Sequence, residues 1–303
     1  MIDQKDSTLN AMHVAPQFRT ALAMPKEDRI RFLHEPRWIG YPLAERILGD
    51  LKDLMNRPLK PRMQNLLIVG ESNNGKTTLS RRFSDLNGTA NIDDNSEPSI
   101  PVITIDAPPS ADEKGLYISI LEKFWVPYRA TDSAQKLRFQ VLHQMRFCKV
   151  RMLIIDEFHS LLTGPATDQR KVMNAIKNLC NELMLPIIGV GTREAVRVLH
   201  MDPQHSSRFD VVSLPSWELN REFQNLLGSF EAILPLRNAS LLHRPELATA
   251  LHAISGGNLG DLHRLLIECA KEAIETETEQ IDLALIQRKA WVQPTKGIRH
   301  LQR

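Results

Sequence analysis

Gln64-Asn65-Leu66-Leu67-Ile68-Val69 runs directly into Gly70-Glu71-Ser72-Asn73-Asn74-Gly75-Lys76-Thr77, and the fold of the chain turns on this stretch. The first half is a short apolar run, fit for a strand buried on both faces. The second half is G-x-x-x-x-G-K-T in full. Thr78 to Phe83 continues as a helix. Gly70 and Gly75 permit backbone conformations that a Cβ penalises. The loop can then turn its N–H groups around a β-phosphate at the positive end of a helix dipole. Lys76 supplies a point charge to the β- and γ-phosphates, and Thr77 a hydroxyl ligand for Mg²⁺. Gly70, Glu71, Ser72, Asn73, Asn74, Gly75, Lys76, Thr77 and Thr78 are therefore expected to hold a nucleotide, with ATP and Mg²⁺ as the cofactors.

Downstream, Met152-Leu153-Ile154-Ile155 ends in Asp156-Glu157. Four hydrophobes followed by Asp-Glu match the Walker B pattern of additional-strand P-loop ATPases. Alone the pattern is common; 80 residues after Lys76 it gains weight. Asp156 is expected to hold Mg²⁺ through water, and Glu157 to polarise the attacking water as general base. Phe158-His159 extends the motif to D-E-x-H, where His159 is either a relay toward the γ-phosphate or a polar residue at a strand end. Ile100 to Asp106 reads as a further strand, followed by helices over Lys114–Phe124 and Ala134–Phe147. A strand–helix unit between the two motifs implies that another strand separates theirs in the sheet. That argues against simple nucleotide kinases and against GTPases, whose Asn-Lys-x-Asp is also missing.

Leu185 to Thr192 is a fourth strand candidate, ending in small and polar residues. Its C-terminal end is expected beside the γ-phosphate. Thr192 can orient the lytic water there, the sensor 1 role, or cap the helix at Glu194–Leu199. Tyr41 to Asn56 carries helical apolar spacing, and so do Trp217–Leu234, Pro245–Ile254, Leu259–Thr276 and Asp282–Trp291. The last four make a helical lid. The expected architecture is thus α/β: a P-loop core, its parallel sheet sandwiched by helices, followed by a small helical lid. The domain boundaries read as a leader over 1–36, the core over 37–215, the lid over 216–292 and a basic tail over 293–303.

In motif order the chain resembles an AAA+ ATPase. Ser206-Ser207-Arg208-Phe209 lies just past a helix, with Arg208 16 residues beyond Thr192. Oligomeric AAA+ ATPases keep there an arginine finger that reaches a neighbour's nucleotide; a surface salt bridge is the plainer reading, and Arg193 and Arg197 are lesser candidates. The family's sensor 2 pattern is Gly-x-x-Arg at the third lid helix. Here Gly257-Asn258-Leu259 is followed by Gly260, and Arg264 comes one turn later.

A closer resemblance surrounds the phosphate loop. Arg62 to Thr77, with Asn73-Asn74 before Gly75-Lys76, is similar to the segment typical of the TniB family, transposition ATPases related to TnsC and more loosely to MuB. Trp38-Ile39-Gly40-Tyr41-Pro42 and Ile154 to His159 fit as well, so the resemblance covers about residues 30–290. It implies a homo-oligomer that assembles with ATP as a ring or helical filament on double-stranded DNA. It implies further that the assembly links a TniQ-type target selector to a DDE transposase and that hydrolysis dismantles it. By analogy, DNA contacts fall between the Walker motifs, with Lys114, Arg129, Thr131 and Lys136 as candidates against a plain solvated helix face. The alternatives are an AAA+ loader or remodeller acting on a protein such as a replicative helicase, and a nucleotide-gated scaffold. Glu157 and Arg208 argue against the scaffold. The segment Asp106 to Asp112 has no aromatic pore-loop pair of the kind that threads protein.

Composition bounds the rest. The 303 residues are 42% hydrophobic and 24% charged, an ordinary globular mix. No run of about 18 apolar residues exists, which excludes a spanning helix. The N-terminus opens with the polar, acid-bearing Met1-Ile2-Asp3-Gln4-Lys5-Asp6, unlike a secretory signal or an Arg-rich transit peptide. Cys148, Cys180 and Cys269 show no metal-ligand spacing, so a reducing cytoplasm is expected. The net charge of +2 is too small to indicate a partner. From Gln280 onward, however, Arg288, Lys289, Lys296, Arg299 and Arg303 face only Asp282. That basic end is a solvated tail or a contact for phosphate or an acidic partner.

Overall fold

A computed structural model describes residues 11–92, 97–129, 131–200 and 206–289. The expected basic tail over 293–303 lies outside them. The chain forms two compact units, one spanning Pro42–Pro215 and the other joining the N-terminal segment through Tyr41 to everything from Ser216 onward.

The first unit is built on five parallel strands: β1 (Asn65–Gly70), β2 (Val102–Asp106), β3 (Met152–Asp156), β4 (Ile187–Gly191) and β5 (Phe209–Leu214), in the spatial order β2-β3-β4-β1-β5. The three central strands are buried at every position, as the continuous apolar runs require of strands covered on both faces. Register is set by pairs such as Leu66 with Ile188, Ile154 with Ile188 and Leu67 with Val211. The strand expected between those of the two Walker motifs is β4.

Helices flank this sheet: α2 (Pro42–Asn56), α3 (Lys76–Asn87), α4 (Glu113–Lys123), α5 (Ala134–Phe147), α6 (Ala166–Leu183) and the short α7 (Val196–His200). Their start signals are local. The Asp112 carboxylate accepts from the Lys114 N–H at 2.9 Å, and the Ser133 hydroxyl from the Lys136 N–H at 3.2 Å. Tyr117, Phe83 and Phe158 are among the largest wholly buried side chains of this unit.

The second unit is helical. It contains α1 (Lys26–Leu33), preceded by a 3₁₀ segment over Pro16–Ala23, and then α8 (Arg221–Glu231), α9 (Pro245–Ser255), α10 (Leu259–Glu275) and α11 (Leu283–Arg288). Residues 11–41 do not form a separate leader, as the boundary at 36 implied. Leu33 is buried among Phe223, Phe230 and Leu266. Arg29 is buried and paired with Glu279, with its Nη1 2.7 Å from Oε1, and its Nε donates to the Pro235 carbonyl at 3.1 Å. Pro16, Pro25 and Pro36 punctuate this stretch, but the partners that bury it lie far along the chain, Arg29 and Glu279 being 250 residues apart, beyond the reach of local patterns. The helix expected from Trp217 begins only at Arg221, because the Asn220 side chain caps it by accepting from the Phe223 N–H at 3.1 Å. Trp217 instead donates its N–H to the Gly257 carbonyl at 2.8 Å. Gly257, at φ 72°, has no room for a Cβ, which would stand 2.1 Å from the Trp217 oxygen. Among the described residues no helix is long and apolar enough to cross a membrane.

Candidate nucleotide-binding site

Parallel strands share one C-terminal edge, and three of them converge there on one cleft. It has a volume of about 290 Å³ and is lined by Ser72 to Thr78 from the β1–α3 loop, Glu157 and His159 from the end of β3, and Thr192 from the end of β4. The order β3-β4-β1 puts the β4 end between the other two, so Thr192 faces both motifs.

The loop is held open by its contacts with β5. Gly70 lies so close to that strand that a Cβ would stand 2.6 Å from the Leu214 carbonyl oxygen. Gly75 precedes α3 in the left-handed region, at φ 81°, where a side chain is strained. Asn73 is also left-handed, at φ 59°, a conformation Asn tolerates better than most residues. Asn74 is buried, and its amide donates to the carbonyls of Leu214 and Pro215, at 3.0 Å each. The loop is thereby braced at Gly70 and Asn74 against the end of β5.

The charged groups follow. Lys76 is buried, and its Nζ donates to the Glu71 carbonyl at 2.6 Å. Burial lowers its pKa from the ordinary lysine value, while the negative charges of Glu157, Asp156 and Glu71 oppose that shift. An ammonium carries three donors, so besides this carbonyl it can bond the oxygens of an anion. The Thr77 hydroxyl donates to Asp156 Oδ2 at 2.7 Å, and Asp156 Oδ1 accepts the Glu157 N–H at 2.8 Å. Glu71 also meets Arg193, with Oε1 3.1 Å from Nε.

A hydroxyl and a carboxylate side by side at a phosphate loop fit Mg²⁺, a hard cation that takes oxygen ligands and keeps much of its water and phosphate shell. Among the described residues no group of three or more His, Cys, Asp or Glu could cage a metal.

Thr192 stands at the N-cap position of a 3₁₀ turn over Arg193–Ala195, but its side chain makes no cap hydrogen bond. Its Oγ1 is buried and has no hydrogen-bond partner among the described residues. Arg208 lies elsewhere. It immediately precedes β5, and its carbonyl accepts the N–H of Asn65 at 2.8 Å, at the start of β1. That is the opposite end of the sheet from the loop, about 20 Å away along a six-residue strand. Its Nη1 donates to Asn181 Oδ1 at 2.7 Å. Arg264 is half-buried on α10, in the helical unit.

Of the residues considered for DNA, Lys114 is half-buried in the first turn of α4, whereas Arg129, Thr131 and Lys136 are exposed where α4 connects to α5. Asp132 sits among them, accepting from the Arg129 N–H at 3.2 Å and from Lys136 Nζ at 2.8 Å. The same surface carries the exposed aromatics Trp125 and Phe139, which sequence reading missed. Phe139 occurs at helical spacing among apolar neighbours, so only the burial of Leu137 and Val141 shows that it faces outward.

The family model for the bacterial TniB protein matches residues 29–219. No curated protein matches the chain. Among solved structures, the chain is similar to the ORC2 protein of Aeropyrum pernix in ADPNP and ADP complexes, with a TM-score of 0.63 and 17% identity over 88% of this chain and 72% of that one. It is similar to Cdc6p from Pyrobaculum aerophilum at a TM-score of 0.60 and 16% identity, covering 85% and 69% of the two chains. The Aeropyrum pernix ORC1 protein in complex with DNA gives 0.59 and 17%, with coverage of 86% and 68%. The shared fold is that of the AAA+ ATPases.

Proposed function

The chain belongs to the TniB family, and from that membership we propose that it is an ATP-hydrolysing, DNA-binding regulator of transposition. In this reading it assembles with ATP on double-stranded DNA as a ring or filament. There it links a TniQ-type target selector to a DDE transposase, and hydrolysis dismantles the assembly. The observation that carries the ATPase part is the meeting of Lys76, Thr77, Asp156, Glu157 and Thr192 around one cleft.

Each residue has a task that its place makes possible. The β1–α3 loop receives the β-phosphate on its N–H groups, and Lys76 exchanges the Glu71 carbonyl for phosphate oxygens. Thr77 and Asp156 hold Mg²⁺, which neutralises charge on the phosphates when bound. Glu157 accepts the proton of the attacking water, and Thr192 orients that water through its otherwise unpartnered hydroxyl. Arg208 acts on a neighbouring subunit's nucleotide, since its own cleft is a full strand length away. Arg264 senses nucleotide from the helical unit.

Lys114, Arg129, Thr131 and Lys136 meet the DNA backbone. The exposed aromatics and basic groups on that surface support this assignment. Contacts limited to phosphate give binding with little sequence preference and a steep dependence on salt. The ORC1 neighbour is a DNA complex of the same fold, which is compatible with such a role.

Electron microscopy of the protein with duplex DNA, with and without a slowly hydrolysed ATP analogue, tests the proposal. Rings or filaments on DNA that require nucleotide are expected. Dispersed monomers in both conditions would overturn it and favour a loader acting on a protein partner.

A further inference from the structure

Two buried polar atoms in the cleft find no hydrogen-bond partner among the described residues: Thr192 Oγ1 and His159 Nδ1. Both belong to residues that line the cleft together with Glu157. His159 Nδ1 stands 3.3 Å from Glu157 Oε2, close enough to attract it but not aligned as a hydrogen bond. The ring is held in this place by its surroundings. Gly191, at the end of β4, makes room for it: a Cβ there would meet the His159 N at 3.3 Å and Nδ1 at 3.4 Å. Phe158, the residue before, is wholly buried and anchors the turn.

Glu157 lacks such anchoring. Its carboxylate side chain is 56% exposed, and its backbone sits in the left-handed region at φ 53°. A non-glycine residue pays for that conformation, and it persists only where the surroundings impose it. Here it turns the side chain back toward the imidazole two residues on. A general base with several free torsions spends much of its time away from the attacking water, and proton transfer requires it within hydrogen-bond reach.

We propose that His159 is a positioning residue: with its proton on Nδ1 it donates to Glu157 and holds the carboxylate toward the end of the cleft where Thr192 presents its hydroxyl. The attacking water is then received at a fixed point between an acceptor and a hydroxyl. The inference rests on the ATPase reading above, and goes beyond it in giving His159 a role exerted through Glu157 rather than on the phosphates.

Steady-state ATP turnover and the affinity for a fluorescent ATP analogue, both measured on the full chain, test this in His159→Ala, His159→Asn and His159→Gln. The Asn amide nitrogen falls near the position of Nδ1, and the Gln amide nitrogen near that of Nε2. His159→Ala is expected to lower kcat roughly tenfold, the worth of a hydrogen bond to a charged group, with analogue affinity unchanged within about twofold. His159→Asn recovers most of the rate, and His159→Gln does not. In a Glu157→Gln background, His159→Ala costs nothing further. Wild-type kcat in His159→Ala overturns the inference, as does a fall in analogue affinity matching the loss of rate, or rescue by Gln equal to that by Asn. An additional loss in the Glu157→Gln background also overturns it, because His159 then acts independently. If the wild-type chain binds the analogue and turns over no ATP on DNA, the ATPase reading itself fails and takes this inference with it.

Discussion

Replacing Asn74 separates the nucleotide loop from the strand that braces it. Its amide makes two hydrogen bonds of 3.0 Å, to the carbonyls of Leu214 and Pro215, and the side chain is 3% exposed. Each such bond contributes about 1 kcal/mol net, so Asn74→Ala should destabilise the α/β unit by roughly 2 kcal/mol. For a unit of this size that is a fall in Tm of roughly 4–8 °C. Nucleotide affinity falls as well, because the loop loses the hold that pre-shapes it. Asn74→Asp is the sharper test. It keeps the volume but sets a carboxylate against two carbonyl oxygens, and burial without a donor raises its folded pKa above the unfolded value of about 3.9. The protonated acid can still donate one bond. Stability of this variant is therefore best below the unfolded pKa and is lost as pH rises through the folded one. Thermal melts of the three proteins between mildly acidic and neutral pH, with analogue binding in parallel, read this directly. If Asn74→Asp melts with the wild type at neutral pH and binds nucleotide equally well, the loop is not braced in the way described.

Further outcomes concern the reaction and the frame around it. Lys76→Ala should bind ATP roughly a hundredfold more weakly, having lost a charge-assisted contact, whereas Glu157→Gln should bind normally, turn over 10²–10⁴-fold more slowly on the scale of about that range for general bases, and leave assemblies trapped on DNA under the microscope. Arg208→Ala should lose roughly 10³-fold or more in turnover while still binding ATP; mixing it with Glu157→Gln should restore some activity if the arginine acts in trans, and no recovery refutes that. Lys136→Ala should weaken DNA binding across sequences and reduce the salt slope by about 1. In the helical unit, burial raises the Glu279 pKa, but the ion pair with Arg29 and the nearby Arg237 bring it below the ordinary value. The stability it contributes is present above the unfolded carboxylate pKa of about 4.3 and is lost as pH falls through the lower folded value. Glu279→Gln should cost roughly 3 kcal/mol at neutral pH, through the charge left buried on Arg29, and its denaturation curve should be flatter than the wild type's in acid.

Much of this was legible in the linear order because the chemistry is local. A phosphate loop needs its glycines, lysine and threonine within eight consecutive positions, and the strand before it must be apolar on both faces. Asp156-Glu157 likewise follows its own strand without a gap, and α5 occupies the very span its spacing predicts, Ala134–Phe147. Caps at Asp112, Ser133 and Asn220 act within three residues. Where a partner is remote, the sequence was silent. The prolines near the N-terminus hid a segment whose Arg29 is claimed by Glu279, 250 residues on. The Asn73-Asn74 pair could be quoted as a family trait, but its reason is the end of β5, about 140 residues away.

By itself, then, the sequence determined the kind of fold and the inventory of the candidate nucleotide site, since hydrophobic runs and a short loop motif encode both over distances of a few residues. Tertiary structure decided which of those groups meet. Only the strand order β3-β4-β1 sets Thr192 between the two motifs, and only the narrow gap beside Gly191 seats His159 against Glu157. Only parallel pairing of β1 with β5 sends Arg208 to the far end of the sheet from its own cleft. Sheet order and register depend on how all the apolar faces are buried together, and no window of neighbouring residues contains that information.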